Sequence, residues 1–328
     1  MPDYGHQISF GAFLTPTSAR PHDVVALAQH AEHVGLDLVA IQDHPYLPQF
    51  LDTWTLLSHL AGRTSRIRLA PCVLNLPLRP PAVVARAAAS LDLLSGGRFE
   101  LGLGAGAGAF RDAMEAMGAP RRTPGQAVDE LAEAIAVIRA LWDTSRSGPV
   151  RHPGRRYRLD GAEPGPTPAH PIQIWLGAYQ PRMLRLTGRG ADGWLPSSSY
   201  LPPEQLAAAN AVIDASAAAA GRPPAAIRRL YNISGQLDSD GHDPGKGFLH
   251  GPVRQWVDDL TGLTRENGIS TFILGTDDPQ LTSRFAGDIA PAVREAVAAE
   301  RGRPTPTRDN TTNASTRTAH QAVERHPG

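Results

Sequence analysis

The sequence predicts an α/β protein folded as a (β/α)8 barrel. Short apolar runs typical of buried strands alternate with longer amphipathic stretches along the whole chain. Eight such runs occur, and each is followed by a helical pattern. Together they span roughly 290 residues, which suits one barrel of this kind. A doubly wound open sheet is the alternative that this pattern leaves open.

The strands are predicted where short apolar runs are bounded by turn-forming residues, because such runs are typical of strands buried in a parallel sheet. They cover residues 8–14, 38–41, 67–73, 99–103, 172–176, 193–195, 230–234 and 271–274.

The helices are predicted where apolar residues recur at spacings of three and four, which places them on one helix face. In the first helix these residues include Val24, Ala28 and Ala31; the helix opens at Pro21 and ends at Gly35. Later helices are predicted at residues 54–60, 81–94, 110–117, 125–142, from 181, and at 204–220, 253–266 and 279–299.

Two segments depart from the alternation of strands and helices. Residues 144–168 are polar and rich in Gly and Pro, which predicts an insertion after the fourth strand–helix unit, with a hairpin ending at Tyr157. The chain from residue 301 onward is polar and rich in Thr and Asn, which is typical of disorder. We therefore expect one barrel domain over residues 1–300 and a disordered tail over residues 301–328.

Composition excludes several classes of function. Lys+Arg and Asp+Glu both number 32, so a general attraction to nucleic acid or to an anionic membrane surface is not expected. Cys72 is the only cysteine, which rules out an intramolecular disulfide and a cysteine-based zinc site. Neither a signal peptide nor an apolar stretch of membrane-spanning length is found, and the histidines show no ligand spacing. We expect a cytoplasmic protein without a bound metal.

Residues at the carboxyl ends of barrel strands line the active site of such a fold. The pair Asp43 and His44 follows the second predicted strand, where a carboxylate and an imidazole can hold a ligand and move a proton. A turn-capping Asp and a solvent-facing His are the alternative. Cys72 stands at the end of the third strand without a catalytic motif around it, so we interpret it as a small buried residue.

A glycine-rich turn follows the fourth strand and includes Gly104, Ala105 and Gly106. Such a turn brings backbone N–H groups close to a ligand, although tight packing at the barrel rim explains it as well. It is not a dinucleotide fingerprint, because Ala107 stands where the third glycine belongs.

A second candidate site follows the fifth strand, at Leu176, Gly177 and Ala178. Small residues before a helix form an anion site through free N–H groups and the helix dipole. Ser197 after the sixth strand adds a hydroxyl, and Arg284 in the last helix adds a positive charge. Together they suggest a phosphate pocket, for which an ordinary loop is the alternative.

The chain resembles the luciferase-like family of flavin- and deazaflavin-dependent oxidoreductases over about residues 6–295. Several segments in this order carry the resemblance: AEHVGLD at 31–37, QDH at 42–44, RPPAVVAR at 79–86, SLDLLSGGR at 90–98, LGLG at 101–104 and GRGADGW at 188–194. The resemblance implies a (β/α)8 barrel with an insertion. It also implies FMN or coenzyme F420 bound at the carboxyl-terminal mouth of the barrel.

The resemblance also implies roles for individual residues. Asp43 contacts the ring of the cofactor, and His44 is the proton-transfer residue. Cys72 and Val73 occupy the place where such enzymes have a non-proline cis peptide against that ring. Gly177 and Ala178 match the phosphate-binding turn of the resembling enzymes, Ser197 a hydroxyl donor and Arg284 an arginine that pairs with the phosphate. Together with our own candidates Gly104, Ala105, Gly106 and Leu176, they complete the expected cofactor site.

The chain departs from the F420-dependent sugar-phosphate dehydrogenases of that family. Ala107 stands where they have a glutamate, Pro48 where they have a tryptophan, and Tyr200 where a lysine binds the substrate phosphate. The expected mouth is instead apolar and aromatic, which suits a larger and less charged substrate. The residues expected to face it are Phe13, Tyr46, Phe50, Phe110, Tyr179 and Tyr200.

These observations predict an enzyme that uses reduced F420 to transfer hydride to an apolar or aromatic unsaturated small molecule. An Asp-His pair after the second strand resembles the F420 branch of the family, whereas the FMN branch more often has Glu-His. A reduced-FMN monooxygenase that uses O2 and a separate flavin reductase is the first alternative. A cofactor-free barrel that acts as a binding subunit is the second. We also expect a separate reductase of F420 or flavin as partner, and a homodimer.

Overall fold

The computed structural model describes residues 2–106, 108, 110–145, 148–238 and 247–302. The strands, numbered in chain order, are β1 (Ser9–Leu14), β2 (Leu38–Ile41), β3 (Arg68–Pro71), β4 (Leu74–Asn75), β5 (Leu101–Gly104), β6 (Val150–Pro153), β7 (Arg158–Ala162), β8 (Ile174–Leu176), β9 (Gly193–Trp194), β10 (Arg228–Ile233), β11 (Gln236–Leu237), β12 (His250–Gly251) and β13 (Ile269–Gly275).

Helices follow the strands of the central sheet and cover its outer side. They are α1 (Pro21–His33), α2 (Thr53–Ala61), α3 (Pro81–Ser95), α4 (Arg111–Ala116), α5 (Pro124–Trp142), α6 (Pro181–Gly190), α7 (Leu206–Ala219), α8 (Val253–Asn267), α9 (Pro279–Arg284) and α10 (Ala290–Arg301).

Nine strands form one sheet in the order β3-β2-β1-β13-β10-β9-β8-β5-β4, and every recorded pair in it is parallel. The two outermost strands, β3 and β4, are consecutive in the chain and lie at one barrel position. A bridge between Leu69 and Phe99 joins β3 to the residues just before β5, so the sheet closes on itself. The eight positions of the predicted barrel are therefore confirmed.

Two predicted elements are interrupted in the structure. The third strand, predicted as continuous over residues 67–73, is divided into β3 and β4 by the peptide bond between Cys72 and Val73, which is cis. The last helix, predicted over residues 279–299, contains a π-helical turn at Phe285–Ile289 between α9 and α10. Pro291 explains that turn, because it has no N–H to donate to the carbonyl four residues earlier.

The insertion lies where the sequence predicts it, after α5. Its strands β6 and β7 form an antiparallel hairpin that runs on to Ala162, past the predicted end at Tyr157. The carboxylate of Glu133 in α5 accepts the backbone N–H groups of Arg155, Arg156 and Tyr157 and so fixes the hairpin turn. The tail that the sequence predicts to be disordered lies outside the described residues from position 303 onward.

The apolar core has two layers, separated by the wall of the barrel. The larger layer lies between the sheet and the helices and includes Phe10, Trp194 and Phe272. The smaller fills the lumen. It contains Leu38, Ala40, Ala70, Trp175, Leu195, Leu230 and Ile273, with Phe13, Cys72 and Val73 packed against them.

Trp175 fits into the lumen because neighbouring strands present glycine to it. A Cβ atom at Gly193 would lie 2.4 Å from Cδ1 of Trp175, far inside van der Waals contact. Gly102 in β5 allows a similarly close approach to the end of β3, since a Cβ atom there would lie 2.2 Å from the carbonyl oxygen of Pro71. These glycines allow the strands and one large aromatic side chain to close the barrel interior.

The amino-terminal end of the barrel carries a connected set of charged groups. The buried carboxylate of Glu100 accepts from Arg68 Nη1 at 2.8 Å and from the backbone N–H of Gln173 at 2.7 Å. His170 lies between two buried carboxylates, with Nδ1 2.8 Å from Asp92 Oδ1 and Nε2 3.4 Å from Glu100 Oε1. Within the described ranges, no helix has the length and apolar character needed to cross a membrane.

Candidate active site at the mouth of the barrel

Asp43, just past the end of β2, is fixed by two donors. Its buried carboxylate accepts the backbone N–H of Asn75 at 2.8 Å and Nη2 of Arg79 at 3.1 Å. The same guanidinium donates to Asp52, which caps the first turn of α2 through the N–H of Thr55. Asp43 thus ties the end of β2 to the end of β4 and to the start of α2.

His44, the predicted proton-transfer residue, lies half-buried among aromatic rings. Its Nδ1 is 2.6 Å from the hydroxyl of Tyr46. Its ring lies 5.5 Å from that of Tyr46, 5.1 Å from that of Phe110 and 6.4 Å from that of Phe50. Burial lowers the pKa of His44, and the nearby charge of Asp43 opposes this only in part. The imidazole is therefore neutral at physiological pH.

Tyr46 and Phe110 form an apolar wall beside His44. Their rings stack with 5.2 Å between centroids and 29° between planes. Phe110 is 40% exposed although it is apolar, so a large part of this wall faces solvent. An exposed aromatic surface beside a half-buried imidazole is typical of a binding site for a ligand that is largely apolar.

The segment at Cys72 and Val73 contains the non-proline cis peptide bond that the resemblance implies, so that prediction is confirmed. Burial raises the pKa of the Cys72 thiol to about 12, which leaves it protonated and supports its interpretation as a packing residue. Val73 packs against the neighbouring strand ends: a Cβ at Gly104 would lie 2.7 Å from its Cγ2, and one at Gly177 would lie 3.3 Å from it.

The glycine-rich turn after β5 is therefore explained in large part by packing. Gly106 has a φ of +64°, and a Cβ atom there would lie 2.3 Å from Cγ of Pro77 and 3.2 Å from Oδ1 of Asn75. Ala105 packs against the outer core. Ala107, the position of the departure from the sugar-phosphate dehydrogenases, lies outside the described residues.

A second group of mouth residues follows β8 and β9. The hydroxyl of Tyr179 accepts the backbone N–H of Ser197 at 3.1 Å, and the hydroxyls of Ser197 and Ser199 lie 3.1 Å apart. The rings of Tyr179 and Tyr200 are 5.7 Å apart at 65°. The buried Ala178 accepts the indole N–H of Trp194 at 2.9 Å. The loop before α6 is therefore held rigidly against the barrel.

The two groups of residues face one mouth. Burial is the main cause that raises the pKa of Tyr46 and of Tyr179, and the nearby phenol of Tyr200 adds to both. Val73 lies against both Gly104 at the end of β5 and Gly177 after β8. The structure thus brings together the predicted residues after β2, β3, β8 and β9.

The side chains of three predicted site residues have other partners: two pack in the apolar core and one forms an ion pair on its own helix. The side chain of Leu176 packs in the outer core, so only its backbone belongs to the strand end. Phe13 packs against the lumen cluster from β1. Arg284, at the end of α9, pairs with Asp288 on its own helix at 3.3 Å, and its role toward a phosphate stays a prediction.

The structure gives two residues of the mouth a role that the sequence did not predict. Arg79 links Asp43 to Asp52, and Asn75 holds Asp43 through its backbone. Arg79 lies 36 residues after Asp43 in the chain, so no local spacing reveals the pair. In the parts of the chain that the structure describes, no cluster of three or more His, Cys, Asp or Glu side chains is arranged to hold a metal ion.

Comparison with known proteins places this geometry in context. The family model for luciferase-like monooxygenases matches residues 4–240. The phthiodiolone/phenolphthiodiolone dimycocerosates ketoreductase of Mycobacterium tuberculosis is 38% identical over 294 residues, which cover 81% of this chain and 71% of that protein. The F420-dependent glucose-6-phosphate dehydrogenase of Intrasporangium calvum is 31% identical over 281 residues, covering 82% and 78%.

Solved structures share the fold at lower identity. An F420-dependent secondary alcohol dehydrogenase, in complex with an F420-acetone adduct, superposes with a TM-score of 0.76 at 21% identity, covering 88% of this chain and 99% of that chain. The monooxygenase RslO1 from Streptomyces bottropensis superposes with a TM-score of 0.70 at 20% identity, covering 90% and 100%.

Proposed function

This chain belongs to the luciferase-like monooxygenase family, and from that membership and the geometry of its mouth we propose that it is an F420-dependent reductase. In this proposal it takes hydride from reduced F420 and reduces a polar double bond, foremost a ketone, in an apolar or aromatic small molecule. His44 supplies the accompanying proton.

The observation that carries the proposal is the state of His44. Its imidazole is neutral because burial lowers its pKa, and Nδ1 is engaged by the hydroxyl of Tyr46. Nε2 has no hydrogen-bond partner among the described residues, so it is available to a substrate oxygen. A neutral imidazole fixed at one nitrogen and free at the other is suited to deliver a proton in the mouth of a barrel.

The residues present fit the proposed cofactor. Val73, flanked by Gly104 and Gly177, offers an apolar surface for a flat ring. A side chain at Gly104 would collide with Val73, and one at Gly177 would crowd it. The hydroxyls of Ser197 and Ser199 lie 3.1 Å apart in the loop that bonds to Tyr179, a residue just before α6, and they suit a phosphate group. When bound, reduced F420 supplies a hydride; the protein's part is to hold the substrate, exclude water and place His44.

The proposed substrate class follows from the wall of Tyr46 and Phe110 and from the relatives. One relative is named for reduction of a ketone in a dimycocerosate, and one fold neighbour holds an adduct of F420 with acetone. Tyr200, 72% exposed, stands where the resembling dehydrogenases bind a substrate phosphate through lysine. An apolar ketone therefore suits this mouth better than a sugar phosphate.

The test begins with fluorescence titrations of F420 and FMN side by side on the purified chain. We expect tight binding of F420 and weak binding of FMN. The second step is oxidation of reduced F420 under anaerobic conditions with an alkyl methyl ketone, an aryl ketone and glucose 6-phosphate. Turnover of the ketones alone supports the proposal, and turnover of glucose 6-phosphate alone would overturn its substrate class.

A reduced-FMN monooxygenase is the second candidate, supported by the family model and by the fold shared with RslO1. It requires O2 and a separate flavin reductase, whereas the F420 reductase requires neither. Tight FMN binding together with O2-dependent turnover would replace the first proposal. If neither cofactor binds, a cofactor-free binding subunit becomes the leading function.

We also propose that two copies pair through their outer helices. Val83 and Leu94 of α3 are 61% and 85% exposed, and Leu93 between them is also exposed. Exposed aliphatic side chains on one helix suit an interface between copies of the chain. Light scattering on the full chain checks this, and a monomer at micromolar concentration would contradict it.

A further inference from the structure

A short hydrogen bond in the mouth joins Tyr46 to His44. The hydroxyl of Tyr46 lies 2.6 Å from Nδ1 of His44. Burial raises the pKa of that phenol, and the side chain of Asn75 is near enough to oppose part of the rise. Asn75 is only 7% exposed and ends β4, so Tyr46 stands between the histidine on its loop and the rigid frame of the barrel.

The phenol is held in place by two further contacts. The N–H of Leu47 donates to the carbonyl of His44 at 2.9 Å and closes a tight turn, which sets Tyr46 beside the histidine. The ring of Tyr46 stacks on Phe110 from the loop after β5. The hydrogen bond to His44 thus costs little additional ordering of the tyrosine.

The direction of this hydrogen bond follows from the protonation state of the phenol. Burial raises the pKa of Tyr46 to about 12, so its hydroxyl keeps its proton. Nδ1 of His44, 2.6 Å away, is the acceptor that the structure places beside that hydroxyl, so the proton is directed to it. A ring nitrogen that accepts carries no proton itself. The neutral imidazole then has its single proton on Nε2.

We propose that Tyr46 is a positioning residue that keeps His44 in the tautomer with its proton on Nε2, the nitrogen that faces the substrate. This inference rests on the proposed reductase function. In the reduction, the carbonyl carbon receives the hydride and its oxygen receives the Nε2 proton. The phenol proton moves to Nδ1 in the same step, so the imidazole stays neutral. The starting state returns when the Nδ1 proton passes back to the phenolate oxygen and Nε2 takes a new proton from water.

The test uses nitrogen-15 NMR of the histidine rings in the full chain without cofactor, with His44→Gln used to assign the signals. In the unmodified protein we expect His44 to show a protonated Nε2 and an unprotonated Nδ1. In Tyr46→Phe we expect a mixture of the two tautomers. Tyr200→Phe is the matched control, since it removes a phenol of the same mouth that makes no contact with His44, and we expect it to leave the tautomer unchanged.

The kinetic consequence is measured separately with reduced F420 and a ketone. Tyr46→Phe should lower kcat by about 10- to 100-fold. This is less than most of the range of about 10² to 10⁴ for a group that transfers the proton itself, because the imidazole remains. The cofactor affinity should stay unchanged. A proton on Nδ1 in the unmodified protein overturns the inference even if Tyr46→Phe does not fold. An unaltered tautomer and kcat in a folded Tyr46→Phe overturn it as well. Because the NMR result needs no turnover, failure of the reductase proposal is distinguishable from failure of this one.

Discussion

His44 and His170 stand at opposite ends of the same barrel and differ in what surrounds their rings. At the mouth, His44 meets a phenol and aromatic rings, and burial lowers its pKa. At the amino-terminal end, His170 meets Asp92 and Glu100 through its two ring nitrogens. The hydrogen bond that its ring donates to Glu100 is the main reason why its pKa is raised. The first imidazole is neutral and the second favours the charged form.

The difference indicates what each end of the barrel is built for. The carboxylates around His170 satisfy its ring and are themselves bonded to Arg68 and to backbone N–H groups, which is a stabilising arrangement. His44 keeps one nitrogen without a partner among the described residues. A barrel thus separates a closed end that holds the fold from an open end that carries out chemistry.

The largest expected effect that tests this comparison comes from exchanging each histidine for glutamine. His44→Gln should lower kcat/KM for the proposed ketone substrate by about 10²- to 10⁴-fold, because the proposed proton donor is lost. His170→Gln should leave kcat/KM within about twofold, since the residue lies at the other end of the barrel. Steady-state assays with reduced F420 measure both. An active His44→Gln with an unchanged melting temperature would break the comparison.

The next largest effect concerns Gly102, a glycine of the barrel wall within β5. Gly102→Ala should destabilise the fold by about 1–3 kcal/mol, because its Cβ would lie 2.2 Å from a backbone oxygen that cannot move aside. Gly262→Ala in α8 is the matched control, since nothing lies within 4 Å of its Cβ position. That change should stabilise the chain by about 0.5–1 kcal/mol through helix propensity. Urea unfolding measures both, and equal effects would contradict this account of the wall.

A smaller effect is expected from the charge of His170. Its pKa in the fold lies above the value of about 6.5 in the unfolded chain, so its stabilising effect is full below that value and is lost as pH rises through the folded pKa. We expect His170→Gln to cost on the order of 1 kcal/mol at about pH 5.5, since its partners are charged but its ring is partly exposed. The cost should shrink above about pH 8. If the cost of His170→Gln instead grows with pH, the fold does not favour the charged form of His170.

The smallest expected effect is a difference between the titration midpoints of the two histidines, which is measured on the unmodified protein. In NMR titrations of the folded chain, His44 should titrate below the usual midpoint of about 6.5, because burial disfavours its charged form. His170 should titrate above that midpoint, because Glu100 and Asp92 favour its charged form. Midpoints on the same side of 6.5 would show that the two ends do not differ electrostatically.

Much of the fold was predictable because strands and helices repeat local patterns. The strand predicted at residues 38–41 has its observed bounds, and the helix predicted at 125–142 begins one residue earlier, at Pro124. The bridge from Leu69 to Phe99 was not predictable, because strand pairing depends on how the whole sheet twists. The π-helical turn was also missed, since the pattern of apolar residues continues through it.

The sequence predicted which residues form the candidate site, but not the contacts between their side chains. The strand-end rule and the resemblance pointed to Asp43, His44 and the cis bond at Cys72–Val73, and the structure contains that bond. The contacts that give these residues their state depend on side-chain conformations and on distant partners. The hydroxyl of Tyr46 on His44 and the guanidinium of Arg79 on Asp43 belong to this class.

The filled lumen described above has a consequence for the order of events in a catalytic cycle. Trp175, Leu195 and Leu230 close the interior beneath the mouth, so both reactants of the proposed reaction use one entrance. In the proposed function, a flat ring on Val73 would lie deeper than a molecule against Phe110, because Val73 packs against the lumen cluster and Phe110 is 40% exposed. The deeper reactant would then arrive first and depart last. Initial-rate measurements should therefore show an ordered mechanism in which an excess of ketone traps the oxidised cofactor and slows its release.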